Sequence, residues 1–282
     1  MTSLLVADLD GTLAQRGRQV GVETLTGIRR LIHHGWDVAI LTGRPISNLR
    51  SRLRSLKSVS LRAITCEGAA WWRYDAGAWS RDLSGAATPF SRETIATLRA
   101  WLRRSLADET ASHGVRVLAN IEVWEHSLLV FKIAAGAGER RALASRLESR
   151  LEAAAFGIPL RVGISGRTTL VIGRKDVDKA RTLTQLATMS PYRQVVYLAD
   201  EFSDAGNDSC TLGVRDVLKV NVGRPLDAPF ESVVEIGGGP PGARRILSEL
   251  ARRHAPAMPG ADVVGRSGND WRERVAKWKR IV

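Results

Sequence analysis

The stretch Ser3-Leu4-Leu5-Val6-Ala7-Asp8-Leu9-Asp10-Gly11-Thr12 decides how the rest of the chain is read. A short apolar run, Ser3 to Ala7, stops abruptly at two acids and a glycine. That is the pattern of a buried strand whose C-terminal end opens into a polar turn. Further along, Val22 to His34 places Leu25, Ile28, Leu31 and Ile32 on one helical face, and Trp36 to Leu41 is a second buried strand ending in Thr42-Gly43-Arg44-Pro45. Two apolar strands joined by an amphipathic crossover helix are the unit of a parallel sheet with helices on its faces.

The same grammar returns late in the chain. Asp178 to Met189 reads as a helix with Leu183 and Leu186 inward, Val195 to Ala199 as a strand ending in Asp200, and Val217 to Val222 and Val233 to Ile236 as further strands. Between these halves the texture changes to short alternating strands (Val115 to Val123, Ser127 to Ile133, Leu160 to Ile164) and two helices, Arg92 to Leu106 and Glu139 to Ala155. The expected architecture is an α/β core, residues 1–72 and 168–251, interrupted by a smaller α+β insert at 73–167 and followed by a tail at 252–282.

The candidate acids sit at the C-terminal ends of parallel strands, where open α/β sheets bind their ligands. Asp8 and Asp10 come from the first strand, Thr42 from the second and Asp200 from the strand near Ala199. Carboxylates this close repel one another unless a cation lies between them. Oxygen donors without His or Cys favour Mg²⁺ over zinc.

Asp8-Leu9-Asp10-Gly11-Thr12 resembles the first motif of the haloacid dehalogenase-like phosphohydrolases, Thr42-Gly43-Arg44 the second, Lys179 the third, and Asp200 with Asp204 the acidic fourth. The resemblance implies a Rossmann-like parallel core with helices on both faces and, between the second and third motifs, a type-two cap. It implies a phosphatase in which Asp8 attacks the phosphomonoester and Asp10 serves as acid and then base. Mg²⁺ would be held by Asp8, the main-chain carbonyl of Asp10, Asp200 and Asp204, while Thr42 and Lys179 hold the transferring oxygens. A second register of the fourth motif, Asp204 with Asp208, is open; the first is preferred because Val195 to Ala199 delivers Asp200 directly to the sheet edge. Singly, each motif has a plainer reading: Asp10-Gly11 as a turn, Thr42-Gly43 as a cap for the helix from Pro45, Lys179 as a solvated lysine. In order, each at a strand end or helix start, they favour a site.

Among capped subfamilies the layout most resembles the trehalose-phosphatase and sucrose-phosphatase group, through Cys66-Glu67-Gly68-Ala69, Ile121-Glu122-Val123, Ser127 to Val130 and Val177-Asp178-Lys179. The chain departs from that group at Val130-Phe131-Lys132 and at Ala199. The resemblance implies a phosphorylated sugar as substrate, with Gly43 and Arg44 beside Thr42; Glu122, Lys132, Arg167 and Arg174 are either further candidate contacts or surface charges on a hairpin lid. Trp71, Trp72 and Trp79 either stack on a sugar or pack.

Composition sets the outer limits. With 282 residues and 44% hydrophobic content the chain can bury a large core, which excludes disorder as the main state. The net charge of +13 invites a polyanion hypothesis. However, residues 73–167 hold fourteen basic and ten acidic residues and the last 31 hold eight and three, so the charge is spread and nucleic acid is not the expected partner. Two distant cysteines, Cys66 and Cys210, argue against a disulfide framework. With no signal-like or membrane-length apolar run, a soluble, cytoplasmic protein is expected. In the tail, Trp271, Val275, Trp278 and Val282 fall on one face of a basic amphipathic helix. That helix either docks on the core or meets a nucleic acid, a membrane or a partner enzyme, and a binding protein of that kind, without enzymatic activity, is the alternative reading.

Overall fold

The computed structural model describes residues 2–56, 59–166, 168–203, 206–226, 230 and 232–254. The first part of the chain forms β1 (Ser3–Ala7), α1 (Val22–His33), β2 (Trp36–Leu41), α2 (Ile46–Arg52), β3 (Leu61–Thr65), β4 (Ala70–Asp75) and β5 (Ala78–Asp82). There follow α3 (Arg92–His113), β6 (Arg116–Val117), β7 (Glu122–Trp124), β8 (Leu128–Ala134), α4 (Ala137–Ala153), β9 (Leu160–Ile164) and β10 (Thr169–Arg174). The chain then makes α5 (Lys179–Thr188), β11 (Val195–Ala199), β12 (Val217–Asn221), β13 (Val233–Glu235) and α6 (Pro240–His254).

Eight strands form one sheet in the order β13-β12-β11-β1-β2-β3-β4-β5. All neighbours from β13 to β3 are parallel, and the β4–β5 hairpin is added antiparallel. Every residue of β1 is buried, because helices cover both faces. Leu5, Ala7, Val38, Ile40, Val196 and Leu198 turn toward α1, α2 and α6. Leu4, Val6, Ala39, Leu41 and Tyr197 turn toward Leu183 and Leu186 of α5. The period-two alternation thus gives each strand two apolar faces, which is why the sequence reads as unbroken apolar runs. Successive strands run outward from β1 through β2 and β3 on one side, and the later strands from β11 on the other. The order therefore reverses between β1 and β11, and a crevice opens at the C-terminal ends of these two strands.

The second sheet, β6-β8-β10-β9 with β7 also on β8, is antiparallel. One face packs Leu129, Phe131, Ile133, Leu170 and Ile172 against Leu98 and Leu102 of α3 and Leu143 and Leu147 of α4. The other presents Leu128, Val130 and Val171 to Cys66 and Ala69 of the core.

Sheet pairing shifts both expected junctions of the insert. The limit at 72/73 falls inside the β4–β5 hairpin, which belongs to the large sheet because β4 pairs with β3 through five positions. The segment from 168 begins with β10, which pairs between β8 and β9 in the small sheet. The strand expected over Val115 to Val123 is two strands, β6 and β7, both paired to β8. Helix α3 runs past Leu106 to His113 because buried Glu109 has a partner, Arg146 of α4, at 2.7 Å. Among the described residues no helix is long and apolar enough to cross a membrane. The basic helix expected near the C-terminus, with Trp271 and Trp278, lies outside the described residues.

Candidate active site

Asp8 follows β1 and Asp200 follows β11, so the two neighbouring strands at the reversal point deliver both acids to one crevice. Asp208 joins them from the loop beyond Asp200, and one carboxylate oxygen of each of Asp8, Asp200 and Asp208 lies within 4.8 Å of the others. Gly11 makes the approach of Asp200 possible: its φ is 88°, and a Cβ there would collide with the Asp200 carboxylate. Thr12 Oγ1 donates to Asp200 Oδ1 at 3.3 Å.

Lys179 is the first residue of α5, whose N-cap Asp178 accepts from the Arg181 amide at 2.7 Å. Its ammonium is fully buried and donates to Asp8 at 2.9 Å and Asp208 at 2.8 Å. A cation at a helix N-terminus is disfavoured by the dipole and by burial. The charges of Asp208 and Asp8 overcome both and hold the Lys179 pKa well above its ordinary value. Burial pushes the Asp8 carboxyl up, against the pull of Lys179, and the negative charges of Asp208 and Asp200 add to the push. Asp200 is pushed up to about 6, by burial first and then by Asp208 and Glu201, with Arg16 opposing. Asp208 is fully buried and also accepts from Tyr197 Oη at 2.5 Å and from the Glu201 amide at 3.2 Å.

Asp10 is held differently. Arg44 Nε and Arg52 Nη1 each donate to it at 2.7 Å, and the Gly17 amide does so at 3.2 Å. Burial alone would raise its pKa, but Arg44 and then Arg52 hold it below the usual carboxylate value. Its carboxylate stands apart from the three-acid cluster. Buried Arg52 also donates to the carbonyls of Arg18 at 2.6 Å and Gln15 at 3.1 Å, so it pins the loop after Asp10.

Asp8, Asp10, Thr42, Gly43 and Arg44 line one pocket together with Arg16, Trp124, Ser165, Gly166, Thr169, Glu201 and Asn207. Thr42 is buried and accepts from the Arg44 amide at 3.2 Å. Lys132 pairs with Thr169 across β8 and β10, which puts it on the sheet face that meets the core. Glu122 shares that face, but its carboxylate accepts from Trp124 Nε1 at 2.7 Å. Arg174 lies on the opposite face, with Leu170 and Ile172, and is paired with Asp176 at 3.0 Å. Trp71 donates to the Gly68 carbonyl, Trp72 to Thr65 and Glu125, and Trp79 packs on Tyr74, so none lines the pocket. Asp204 and Arg167 lie outside the described residues.

Residues 5–98, which carry both Asp8 to Thr12 and Thr42 to Arg44, match a family model described as haloacid dehalogenase-like hydrolase. Over that third of its length the chain is similar to the haloacid dehalogenase-like hydrolases. No curated protein matches the sequence. Solved structures share the fold of this chain at low identity. An IMP-nucleotidase of Plasmodium falciparum with IMP bound superposes with a TM-score of 0.62 at 13% identity, over 89% of this chain and 68% of that one. The sucrose-phosphatase of Synechocystis sp. PCC6803, in complex with sucrose and phosphate, gives 0.57 at 18%, over 89% and 98%. A trehalose-6-phosphate phosphatase of Aspergillus fumigatus gives 0.57 at 15%, over 89% and 93%.

Several groups in the crevice escape sequence reasoning. Asp208 appeared only in the less favoured register, because the detour that returns it to the strand end is a property of the loop. Arg16 donates to Glu201 and, at 3.3 Å, to Asp200. Ser165 donates to the buried Glu67 at 2.6 Å across the two sheets. The contacts of Arg16 and Ser165 have no local signal in the sequence.

Proposed function

We propose that this chain is a haloacid dehalogenase-like, Mg²⁺-dependent phosphatase that cleaves a phosphomonoester through an aspartyl-phosphate on Asp8. The observation that carries the reading is the cluster of Asp8, Asp200 and Asp208 beside buried Lys179. Three carboxylates with no His or Cys among them suit a hard divalent cation. Asp8 and Asp200 have the more open oxygens, since Asp208 already accepts from Lys179, Tyr197 and Glu201. The main-chain carbonyl of Asp10 completes the proposed set, with Asp204 as a further candidate. When bound, the cation shields the charge between the attacking carboxylate and the phosphate.

The chain's own groups perform the rest. Lys179 fixes one Asp8 oxygen and leaves the other to form the bond to phosphorus. Thr42, Gly43 and Arg44 line the pocket where phosphate oxygens would lie, so the Thr42 hydroxyl and the Arg44 guanidinium would meet their charge. Arg44 and Arg52 hold Asp10 as a carboxylate, the form that takes a proton from water when the aspartyl-phosphate is hydrolysed. To donate a proton to the leaving alcohol, Asp10 must first take one up from solvent, which requires it to give up its contact with Arg44, the more exposed of its two arginines.

We further propose that residues 83–174 act as the cap and that the leaving group is a sugar. Trp124, Ser165 and Thr169 close the pocket, and Lys132 stands beside Thr169. The structural likenesses include phosphatases named for trehalose 6-phosphate and for sucrose phosphate. A panel of phosphorylated mono- and disaccharides and nucleoside monophosphates, assayed for released phosphate with Mg²⁺, tests both statements. Turnover of at least one sugar phosphate, abolished by Asp8→Asn, is the expected result. Equal turnover in Asp8→Asn would remove the mechanism, and preference for nucleotides over every sugar phosphate would remove the substrate assignment.

A further inference from the structure

The turn between β7 and β8 carries Glu125 and His126, both left-handed at φ 51° and 55°, a conformation costly for residues with a Cβ. The strained turn drives the Glu125 side chain out of its own sheet and into the core. That side chain is only 10% exposed. There it accepts from the Ile46 amide at the start of α2, from Thr65 Oγ1 at 3.0 and 3.1 Å, from Trp72 Nε1 at 3.1 Å and from Arg81 at 3.4 Å. Arg81 in turn lies 4.9 Å above the Trp72 ring. All these donors belong to the large sheet and to α2, whereas Glu125 belongs to the hairpin of the small one. A buried carboxylate is tolerated only where donors await it, and here they come from four separate places on the core. Two consequences follow from its position. Ile46 lies just beyond Thr42-Gly43-Arg44, so the bond ties the hairpin to the loop that lines the pocket. Trp124, the neighbour of Glu125, lines that pocket from above, its ring held by Glu122.

We propose that Glu125 is the positioning residue that latches the cap onto the core and sets Trp124 over the pocket. The apolar patch of Leu128, Val130 and Val171 on Cys66 and Ala69 brings the two units together without fixing a direction. The directional bonds to Glu125 fix the register. The inference rests on the phosphatase reading only for its kinetic consequence.

Glu125→Ala and the isosteric Glu125→Gln, both in the full chain, test it by two independent measurements. Solution scattering reads the separation of the units without substrate, and hydrolysis of p-nitrophenyl phosphate with Mg²⁺ reads the pocket. Loss of the latch should enlarge the radius of gyration in Glu125→Ala. It should also raise KM at least tenfold with kcat within about twofold, since saturating substrate recovers the closed population. Glu125→Gln keeps an acceptor for Ile46 and should fall between wild type and Glu125→Ala in both. A merely structural glutamate would lower the melting temperature and leave the radius and KM unchanged, and that result overturns the proposal. Should the chain hydrolyse no phosphomonoester, scattering alone decides: an unchanged radius in both variants refutes the latch, whereas an enlarged one supports it.

Discussion

Replacing Lys179 by Met removes the cation between Asp8 and Asp208 while roughly keeping the side chain's length. In the native arrangement the ammonium sits 2.9 Å from one carboxylate and 2.8 Å from the other, fully buried. Its removal leaves two buried acids facing each other, and breaking a buried pair in this way costs about 3–5 kcal/mol. For a domain of this size each kcal/mol corresponds to about 2–4 °C, so the variant should melt roughly 6–20 °C below wild type. Two conditions make the prediction specific. The Asp8 carboxyl, already raised by burial above its ordinary 3.8, rises further once Lys179 is gone. A carboxyl raised in the folded state contributes its full stability below its unfolded pKa and loses it as pH rises through the folded value. The deficit should therefore be small near pH 4 and larger at pH 7.5. Millimolar Mg²⁺ should stabilise Lys179→Met more than wild type, because a cation restores the missing charge. Thermal melts by circular dichroism at both pH values, in EDTA and in Mg²⁺, measure all of this. A variant melting within about 3 °C of wild type at pH 7.5 in EDTA would show that the lysine does not balance these acids.

Asp208→Asn and Asp200→Asn should each weaken Mg²⁺ binding at least tenfold by calorimetric titration, the lower end of what loss of a partner at a metal site costs. Because Asp200 is pushed up to about 6, Mg²⁺ must displace a proton below that pH, so wild-type affinity should rise between pH 5 and 7. An affinity flat across that range would contradict the shift. Lys219, buried and donating to the Val214 carbonyl at 2.6 Å, is lowered from 10.5 to about 8 by burial. Its charged form weakens the fold below about 8, a penalty relieved as pH rises toward 10.5 and amounting to about 3 kcal/mol at most. Denaturant titrations at pH 7.5 and 10 should show that rise in wild type and a flatter profile in Lys219→Met; parallel profiles would refute it. Gly223→Ala would drive a Cβ into the Asp200 carbonyl and displace the strand end that carries the acid. Reduced Mg²⁺ affinity together with a lower melting temperature is expected, and a variant unchanged in both would show that the strand end can yield.

The sequence determined the buried strands and what stands at their ends. Ser3 to Ala7, Trp36 to Leu41, Val195 to Ala199 and Leu160 to Ile164 were legible because burial on both faces, or alternation on one, leaves a local signature of period two. Asp8, Asp10, Thr42 and Lys179 were legible because a polar break after an apolar run marks a strand end or a helix start. What had no local signature was decided by the tertiary structure. Which sheet takes the β4–β5 hairpin and β10 depends on pairing between residues distant in sequence. The return of Asp208 to Asp8, the hold of Arg44 and Arg52 on Asp10, the turning of Arg174 away from the pocket and the reach of Glu125 into the core are likewise long-range. Periodicity reports how a residue faces its own element, whereas the charge that meets it is set by an element folded back from elsewhere in the chain.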